Sequence, residues 1–481
     1  PKLMKTKIIF LFFLCAITVS AQTKKWTLQE CIAHALENNI SIKNSTYNLK
    51  NSKLDLIEAR GNFLPNLNVS SSHNWNTGLS IDAITNNAIK ITNKNTTLGV
   101  NSNITIYDGL ANIAKVRRAN LSILANQYQL EDMKDNISLA VINSYLQIVF
   151  NTESLKTLKS QLKQRNEEYK RNAELVNSGI VPRGDLFETE AILASLEQQI
   201  VNTENTVHIS KISLSNLLLL EDFRSFEISN QKYDLKPNIL LNHSIESIYN
   251  KALINRNDLK AFELNIELNK ENLKIAKARF LPTLNAYYNY NTRASHNDLT
   301  ERIQDADTPF LTQEIGIVEN SGESVVAEVP NYTFINNSPP SLFDQFRQND
   351  GHSFGLNLSI PIFNRFINSN AVKKSKISLE KAKLDYEQSK FDLRDKVHQA
   401  YVDMQGALKT YMAALKTAKA RKEAYTYAKE KHEVGLLNSF DLSQMQTNLE
   451  NAETEVIRAK YDYIFKIKIL EFYFGIPIDK I

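Results

Sequence analysis

The hexapeptide FLPNLN at Phe63 returns as FLPTLN at Phe280, 217 residues on, and this near-identity constrains the fold more than any other feature of the chain. The offset holds without a gap from Leu28 over Ile245 to Asn68 over Asn285, through Ala35 with Ala252, Asn38 with Asn255 and Lys43 with Lys260. It then becomes 256: LGVNSNITIYD from Leu98 lies over FGLNLSIPIFN from Phe354, and the match runs on through Val141 with Val397, Tyr145 with Tyr401, and Gly179 with Gly435. The 39 extra residues of the second half fall between Asn285 and Phe354. One large unit per half predicts a duplicated fold, 22–243 and then 244–481, rather than a solenoid of short repeats.

Within each unit the punctuation is sparse. No glycine interrupts 111–178 and no proline interrupts 362–476, so very long helices are expected over about 110–177 and 366–434, each rising ~100 Å at 1.5 Å per residue. Heptad spacing supports them, as in Val397, Tyr401, Met404, Leu408, Tyr411 and Leu415. Return helices are expected over about 186–220, with a seam through Leu193, Leu196, Ile200, Val207, Leu214 and Leu217, and over 442–474.

At Pro65 and Pro282 the apolar period changes from helical to alternating, which marks a helix-to-strand junction, since proline has no donor for a continuing helix. Strands are expected at about 66–76, 97–107, 283–292 and 353–363. Phe354, Leu356, Leu358, Ile360 and Ile362 share one face, while Gly355, Asn357 and Ser359 share the other. Strands of this length and dyad pattern suit a transmembrane barrel; a half-buried soluble hairpin fits the alternation equally well. In lipid, four strands alone leave unpaired edges, so several chains must pool them. The polar stretches 76–97 and 291–351 then read as surface loops.

At the start, Met4, Lys5, Lys7, an apolar run over 8–17 and Val19-Ser20-Ala21 read as a cleavable signal peptide, 1–21. Losing it with Lys2, Lys5 and Lys7 lowers the formal charge from +4 to +1, which argues against a nucleic-acid partner. Cys31 alone would remain, so no intrachain disulfide is expected.

Chemistry-bearing candidates are few. NSGIVPRGDL from Asn177 and EVGLLNSFDL from Glu433 lie between each long helix and its return. Gly179 and Gly435 suit a left-handed helix end, and Asp185 and Asp441 suit the start of the next helix by charge or capping. In an assembly of copies each aspartate becomes a ring of carboxylates, which selects ions and controls opening. Arg183-Gly184-Asp185 is a short chance match. His432-Glu433 has Leu436 where HExxH needs its second histidine. His34, His208 and His398 read as surface or packing residues. No catalytic constellation, metal site or cofactor motif is present, so no enzyme and no cofactor are expected.

The duplicated order of signal, FLP step, strand hairpin, long heptad helix and Gly-x5-Asp-Leu turn, from about Trp26 to 477, resembles the TolC family of outer membrane efflux proteins. That resemblance implies a fold that is mainly α with a transmembrane β-barrel contribution: a homotrimer with four strands per chain in a twelve-stranded barrel, continued by an α-helical tunnel of coiled-coil helices through the periplasm. It implies an outer membrane location in a Gram-negative bacterium and passive conduction of substrates. Its partners would be outer membrane lipid, a periplasmic adaptor and an inner-membrane transporter. A belt would form from short helices at 27–38 and 244–255, the segment 221–242 and the C-terminal tail. By the resemblance, Asp441, Gln444, His432 and Asp185 surround the pore aperture, and Gly179, Leu186, Gly435 and Leu442 form the tip that docks the adaptor. Gln444 stands where the family can carry a second Asp, and His432 and Leu437 replace a Tyr and an Arg of the closed-state latch, which implies a weaker or differently bonded closed state. The rival readings are a periplasmic coiled-coil adaptor or structural protein without channel activity, and an exported enzyme on a helical scaffold.

Overall fold

The computed structural model describes residues 25–81, 87–180, 182–229 and 243–476; the expected leader 1–21, most of the segment 221–242 and the tail beyond 476 lie outside them. The first half runs β1 (Lys25–Trp26), α1 (Leu28–Asn38), α2 (Ile40–Gly61), β2 (Asn68–Ile81), β3 (Ala88–Tyr107), α3 (Ala111–Asn177), α4 (Arg183–Leu218) and β4 (Glu227–Ile228). The second runs α5 (Ile245–Asn255), α6 (Asn257–Ala278), β5 (Thr283–Ser295), β6 (Leu299–Gln304), β7 (Phe310–Ile317), β8 (Ser324–Pro330), β9 (Tyr332–Asn337), α7 (Leu342–Gln348), β10 (Gly351–Ser359), α8 (Ile367–Glu433) and α9 (Ser439–Phe474). Matched helices are 11, 22, 67 and 36 residues long in both halves, and the offsets 217 and 256 carry one set of bounds onto the other.

Two compact units result, and neither follows the repeat boundary. Among the described residues, one draws on the stretch up to Leu54, on Arg118–Lys270 and on the stretch from Ile377 onward, the other on Asp55–Arg117 and Glu271–Lys376.

The helical unit is built around two related cores. In the first, α1 sets Leu28, Cys31, Ile32 and Ala35 against Val141, Tyr145 and Ile148 of α3 and Leu214 and Leu218 of α4. In the second, Ile248 and Ala252 of α5 meet Val397, Ala400 and Met404 of α8 and Ile467 and Leu470 of α9. Thr27 starts α1 with a capping box, its hydroxyl accepting from the Glu30 amide while Glu30 accepts from the Thr27 amide. β1 and β4 pair in parallel, and the buried Tyr145 hydroxyl donates to the Ser229 carbonyl at 2.7 Å. The stripe that α8 buries is Leu393, Val397, Ala400, Met404, Ala407 and Ala414, while Leu415 is exposed. Of the expected series, Val397 and Met404 are buried and Tyr401 and Leu408 pack half-buried against the same core beside Ala400 and Ala407, whereas at Leu415 the buried position shifts to Ala414. Alanines face the neighbouring helices because small side chains let the axes approach closely.

The other unit holds an antiparallel sheet in the order β10-β5-β3-β2. Registers such as Asn101 with Asn68 and Asn289, and Val100 with Val69 and Tyr290, sort its side chains by face. One face carries Val69, Trp75, Leu98, Val100, Ile104, Leu284, Tyr288, Tyr290, Phe354, Leu356 and Leu358. The other carries Asn68, Ser72, Asn101, Asn103, Asn285, Asn289, Asn357 and Ser359. Arg293 is the one charged side chain on this polar face among the described residues of the four strands. The apolar face carries two aromatic groups, His73 with Trp75 on β2, ring centroids 4.2 Å apart, and Tyr288 and Tyr290 of β5 with His352 of β10, whose ring lies 5.2 Å from that of Tyr290. At the helix-side end of the strands lie the exposed Phe63, Phe280, Phe363 and Phe366. Apolar strands bounded by aromatic rows are the pattern of a barrel wall at both lipid interfaces. No helix among the described residues is long and apolar enough to cross a membrane.

Three local expectations change. First, 76–97 is no simple loop: β2 and β3 stay paired to Ile81 with Ala88, held by cross-strand hydroxyls such as Thr77 with Thr92 at 2.8 Å, so these strands outrun the expected 66–76 and 97–107. Second, 291–351 folds into two further ladders, β6 with β9 and β7 with β8, followed by α7. Gln345 of α7 substitutes for a strand on the edge of β5, accepting from the Ser295 amide and donating to its carbonyl, both at 2.9 Å. Third, the return helices begin three residues before the expected 186 and 442, because Asp185 and Asp441 are third helical residues rather than caps.

Candidate aperture at the helical turns

Each long helix ends at a glycine with φ of +75°. At the first turn the Ile180 amide donates to the Leu175 carbonyl at 2.9 Å and the Gly179 amide to Val176 at 3.0 Å. At the second, Leu436 donates to Lys431 at 2.9 Å and Gly435 to His432 at 3.0 Å. These crossed bonds satisfy the last carbonyls of α3 and α8, and they require the left-handed residue that glycine supplies without strain. Both glycines have open space where a Cβ would stand, so backbone conformation alone selects them.

The two turns differ in how the next helix begins. Pro182 precedes α4 with no side-chain cap. Asn438 caps α9, its Oδ1 accepting from the Asp441 amide at 2.8 Å. His432 Nδ1 lies 2.8 Å from the Leu437 carbonyl; a carbonyl only accepts, so Nδ1 carries the proton. The second turn is thereby tied by two side chains. Asp185 and Asp441 sit half-buried in the first turns of their helices, where the positive dipole end favours a carboxylate. Leu186 and Leu442 are half-exposed beside them, and Gln444 is exposed. The turns are therefore formed of the residues singled out from the sequence, but Asn438, which does the capping, is an addition. Replacing His432 by alanine is expected to cost about 1 kcal/mol of local stability at this turn, read as faster proteolysis at 434–438 with no change at 178–180. Unchanged cleavage at 434–438 would contradict the bond's role.

Further along the same helices is a buried polar clamp that the sequence pattern did not reveal. Arg165 of α3 is fully buried. Its Nε and Nη2 donate to the two carboxylate oxygens of Glu450 on α9, each at 3.1 Å. Nη1 donates to Ser443 Oγ at 3.0 Å and Glu168 Oε2 at 3.2 Å, and Nη2 to Thr447 Oγ1 at 3.0 Å. Gln446 Nε2 donates to Glu450 Oε1 at 3.0 Å, and Gln446 Oε1 accepts from the Tyr425 hydroxyl of α8 at 3.2 Å. Burial pushes the Tyr425 phenol above its usual range, so it remains a donor. A fork-shaped guanidinium meeting a carboxylate on two parallel bonds fixes both distance and rotation of α9 against α3. A signal did exist: Asn151, Ser154, Leu158, Gln161 and Arg165 step by three and four along the buried stripe of α3, whereas the run QLKQRNEEYK reads by composition as a solvated face. The clamp is not duplicated, because the repeat places the exposed Arg421 and Ala194 at the equivalent positions.

Among the described residues no group of three or more His, Cys, Asp or Glu could hold a metal ion. What remains is a mechanical site: two turns closed by glycine, paired acidic residues at their helix starts, and a buried clamp between helices of the two halves.

The chain matches the sequence model of the family described as "Outer membrane efflux protein" over residues 31–218 and 248–470. No curated protein matches it at a significant level. Among solved structures it is similar to the CmeC outer membrane channel of Campylobacter jejuni, at TM-score 0.74 and 19% identity over 93% of this chain and 85% of that one. It is similar to the outer membrane protein VceC of Vibrio cholerae, at TM-score 0.72 and 16% identity over 93% and 96%. The open state of the Neisseria gonorrhoeae MtrE outer membrane channel aligns at TM-score 0.65 and 16% identity over 93% and 88%. At these identities the structures establish the fold.

Proposed function

The chain belongs to the outer membrane efflux protein family, a channel-tunnel of the outer membrane that reaches into the periplasm, and on that premise we propose that it is a passive duct. Three copies each give four strands to one twelve-stranded barrel and their long helices to a shared tunnel. A periplasmic adaptor docks on the turns around Gly179, Leu186, Gly435 and Leu442, and an inner-membrane transporter supplies the energy. Asp441, with Asp185, Gln444 and His432 nearby, lines the aperture.

The observation that carries this reading is the sheet. β2 and β10 are edge strands whose outer backbone groups have no strand partner in the chain among the described residues, yet the same sheet presents an apolar face. Lipid forbids such edges, and a second copy removes them. With four antiparallel strands per chain, β10 of one copy runs antiparallel to β2 of the next, so a head-to-tail ring closes without a parallel step. The polar face, carpeted with Asn and Ser and nearly free of charge, would line a lumen with little preference for ion sign. Selection then falls to the acidic turns.

The test is the native mass and single-channel behaviour of detergent-extracted protein from the outer membrane fraction. A trimer is expected, with conductance that rises and cation preference that falls on Asp441→Ala, and conductance that rises on His432→Ala. Monomeric, water-soluble material would reject the reading; a trimer indifferent to both substitutions would reject the aperture assignment alone.

A further inference from the structure

We propose that the outward end of the apolar side of the sheet is a binding site for a phosphorylated glycolipid of the outer leaflet. Its phosphates sit on Lys94 and Lys90, the nearer one beside His296, and its sugar lies on Trp75. This rests on the reading of the apolar face as the lipid-facing one and deepens it by naming the lipid.

Charge along the strands is one-sided. β2 follows α2 and β3 leads into α3, so Ile81 with Ala88 marks the end of this hairpin remote from the helices. In a channel that reaches into the periplasm, that end is the outward one. The four strands contain no Asp or Glu, and their lysines and arginines are Lys90, Lys94 and Arg293. Arg293 projects to the polar face. The registers Lys94 with Trp75 and Lys90 with Leu79 put both lysines on the other side, continuous with the apolar face. Outward from Leu98 that side of β3 reads Thr96, Lys94, Thr92 and Lys90, so hydrocarbon contact gives way to hydroxyl and then to charge, as it does where acyl chains meet headgroups. Both lysines are exposed, and among the described residues neither has an ion-pair partner. A leaflet of phosphorylated headgroups supplies the missing anion.

Two imidazoles form the base of the site. Thr96 Oγ1 lies 2.7 Å from His73 Nδ1 and 2.7 Å from His296 Nε2. A hydroxyl has one proton, so it donates to one ring and accepts from the other. While both rings are neutral, the ring that accepts from Thr96 bears its own N–H on its second nitrogen, and that N–H is available to a phosphate oxygen. Backbone bonds hold His296 level with Lys94. The His296 amide donates to the Lys94 carbonyl and Asn297 Oδ1 accepts from the Lys94 amide, both at 2.9 Å, and Asn297 Nδ2 donates to the Thr92 carbonyl at 3.1 Å. Trp75 completes the site beside Lys94, its indole edge-to-face with His73 and offering a flat surface for a sugar ring.

The spacing selects the class of headgroup. Four residues along β3 separate Lys90 from Lys94, about 14 Å at the rise of an antiparallel strand. A disaccharide with a phosphate at each end is of comparable length and engages both lysines, with its acyl chains running along the apolar face below Thr96. A glycerolipid with a single phosphate engages one.

The test uses full-length protein extracted from outer membranes, stripped of lipid in detergent with EDTA, and titrated with an acylated glucosamine disaccharide bearing two phosphates or with its dephosphorylated analogue. Retention is read by native mass spectrometry. The parent is expected to hold the phosphorylated lipid roughly tenfold more tightly than the analogue, the scale of two lysines at an anionic surface. Lys90→Gln with Lys94→Gln should lose that preference, and Arg293→Gln, on the polar face, should keep it. Should the double variant fail to assemble, Lys94→Gln alone decides, with a preference at least halved. Equal retention of the two lipids by oligomeric protein, or an unchanged preference in the lysine variants, overturns the site and leaves the duct intact. Displacement by excess inorganic phosphate overturns the lipid assignment in favour of a free-anion site. A monomeric protein that retains neither lipid overturns the lipid-facing reading as well.

Discussion

Arg165→Ala is expected to loosen the turn end of α9 by about 3–5 kcal/mol, because it leaves the Glu450 carboxylate buried with its principal partner gone. At ~1.4 kcal/mol per tenfold, amides over 443–450 should exchange with solvent roughly two to three and a half orders of magnitude faster. Amides of the cores around Ile248 and Leu214 should be unaffected. The charge-free double variant Arg165→Met, Glu450→Leu is expected to recover most of the protection, since a buried ion pair adds little over well-packed apolar groups of similar volume. What the double variant should not recover is the fixed rotation of α9 that the bidentate contact imposes. In the duct reading its channels should therefore show more open time than the parent, despite near-parental stability. Unchanged exchange in Arg165→Ala would mean that the clamp has no structural role.

The second large effect separates the two faces of the sheet. Leu356→Arg places a charge on the apolar face and should cost about 2–4 kcal/mol near the middle of the bilayer, seen as loss of folded oligomer in the outer membrane. Asn357→Arg, one residue along the same strand, projects to the polar face and should leave assembly near parental while shifting ion preference toward anions. The contrast is sharp because Leu356 is already 66% exposed in one chain, so burial in a soluble core gives it no alternative reason to be apolar. If Asn357→Arg proves the more damaging, the faces are inverted and the barrel assignment is wrong.

Much of this fold is legible in the residues. The repeat, at its two offsets, set the paired helix bounds, the FLP steps located the helix-to-strand junctions, and the glycines of the turns announced their left-handed backbone. Other features escaped for identifiable reasons. The outer parts of β2 and β3 are rich in Asn, Thr, Ser and Lys, a composition that says loop, and become strand because each row pairs across the sheet. The ladders inside 291–351 were hidden likewise. Arg165 was overlooked because charge is normally solvated; only the α9 side chains brought around it make burial tolerable. Asp441 read equally well as a cap or as a charge at a helix start, and Asn438 resolves that choice by taking the amide first.

By itself, then, the order of residues determined which segments are helix and which are strand over most of the chain, and that the large elements occur twice. These properties depend on local period, on proline and glycine geometry, and on similarity between halves. The tertiary structure decided which side chains face one another: alanines set among the larger apolar side chains of the α8 seam, an arginine at the centre of a buried network, and one greasy and one amide-lined face on the sheet. Facing is a matter of register, and register is settled only when distant segments have paired.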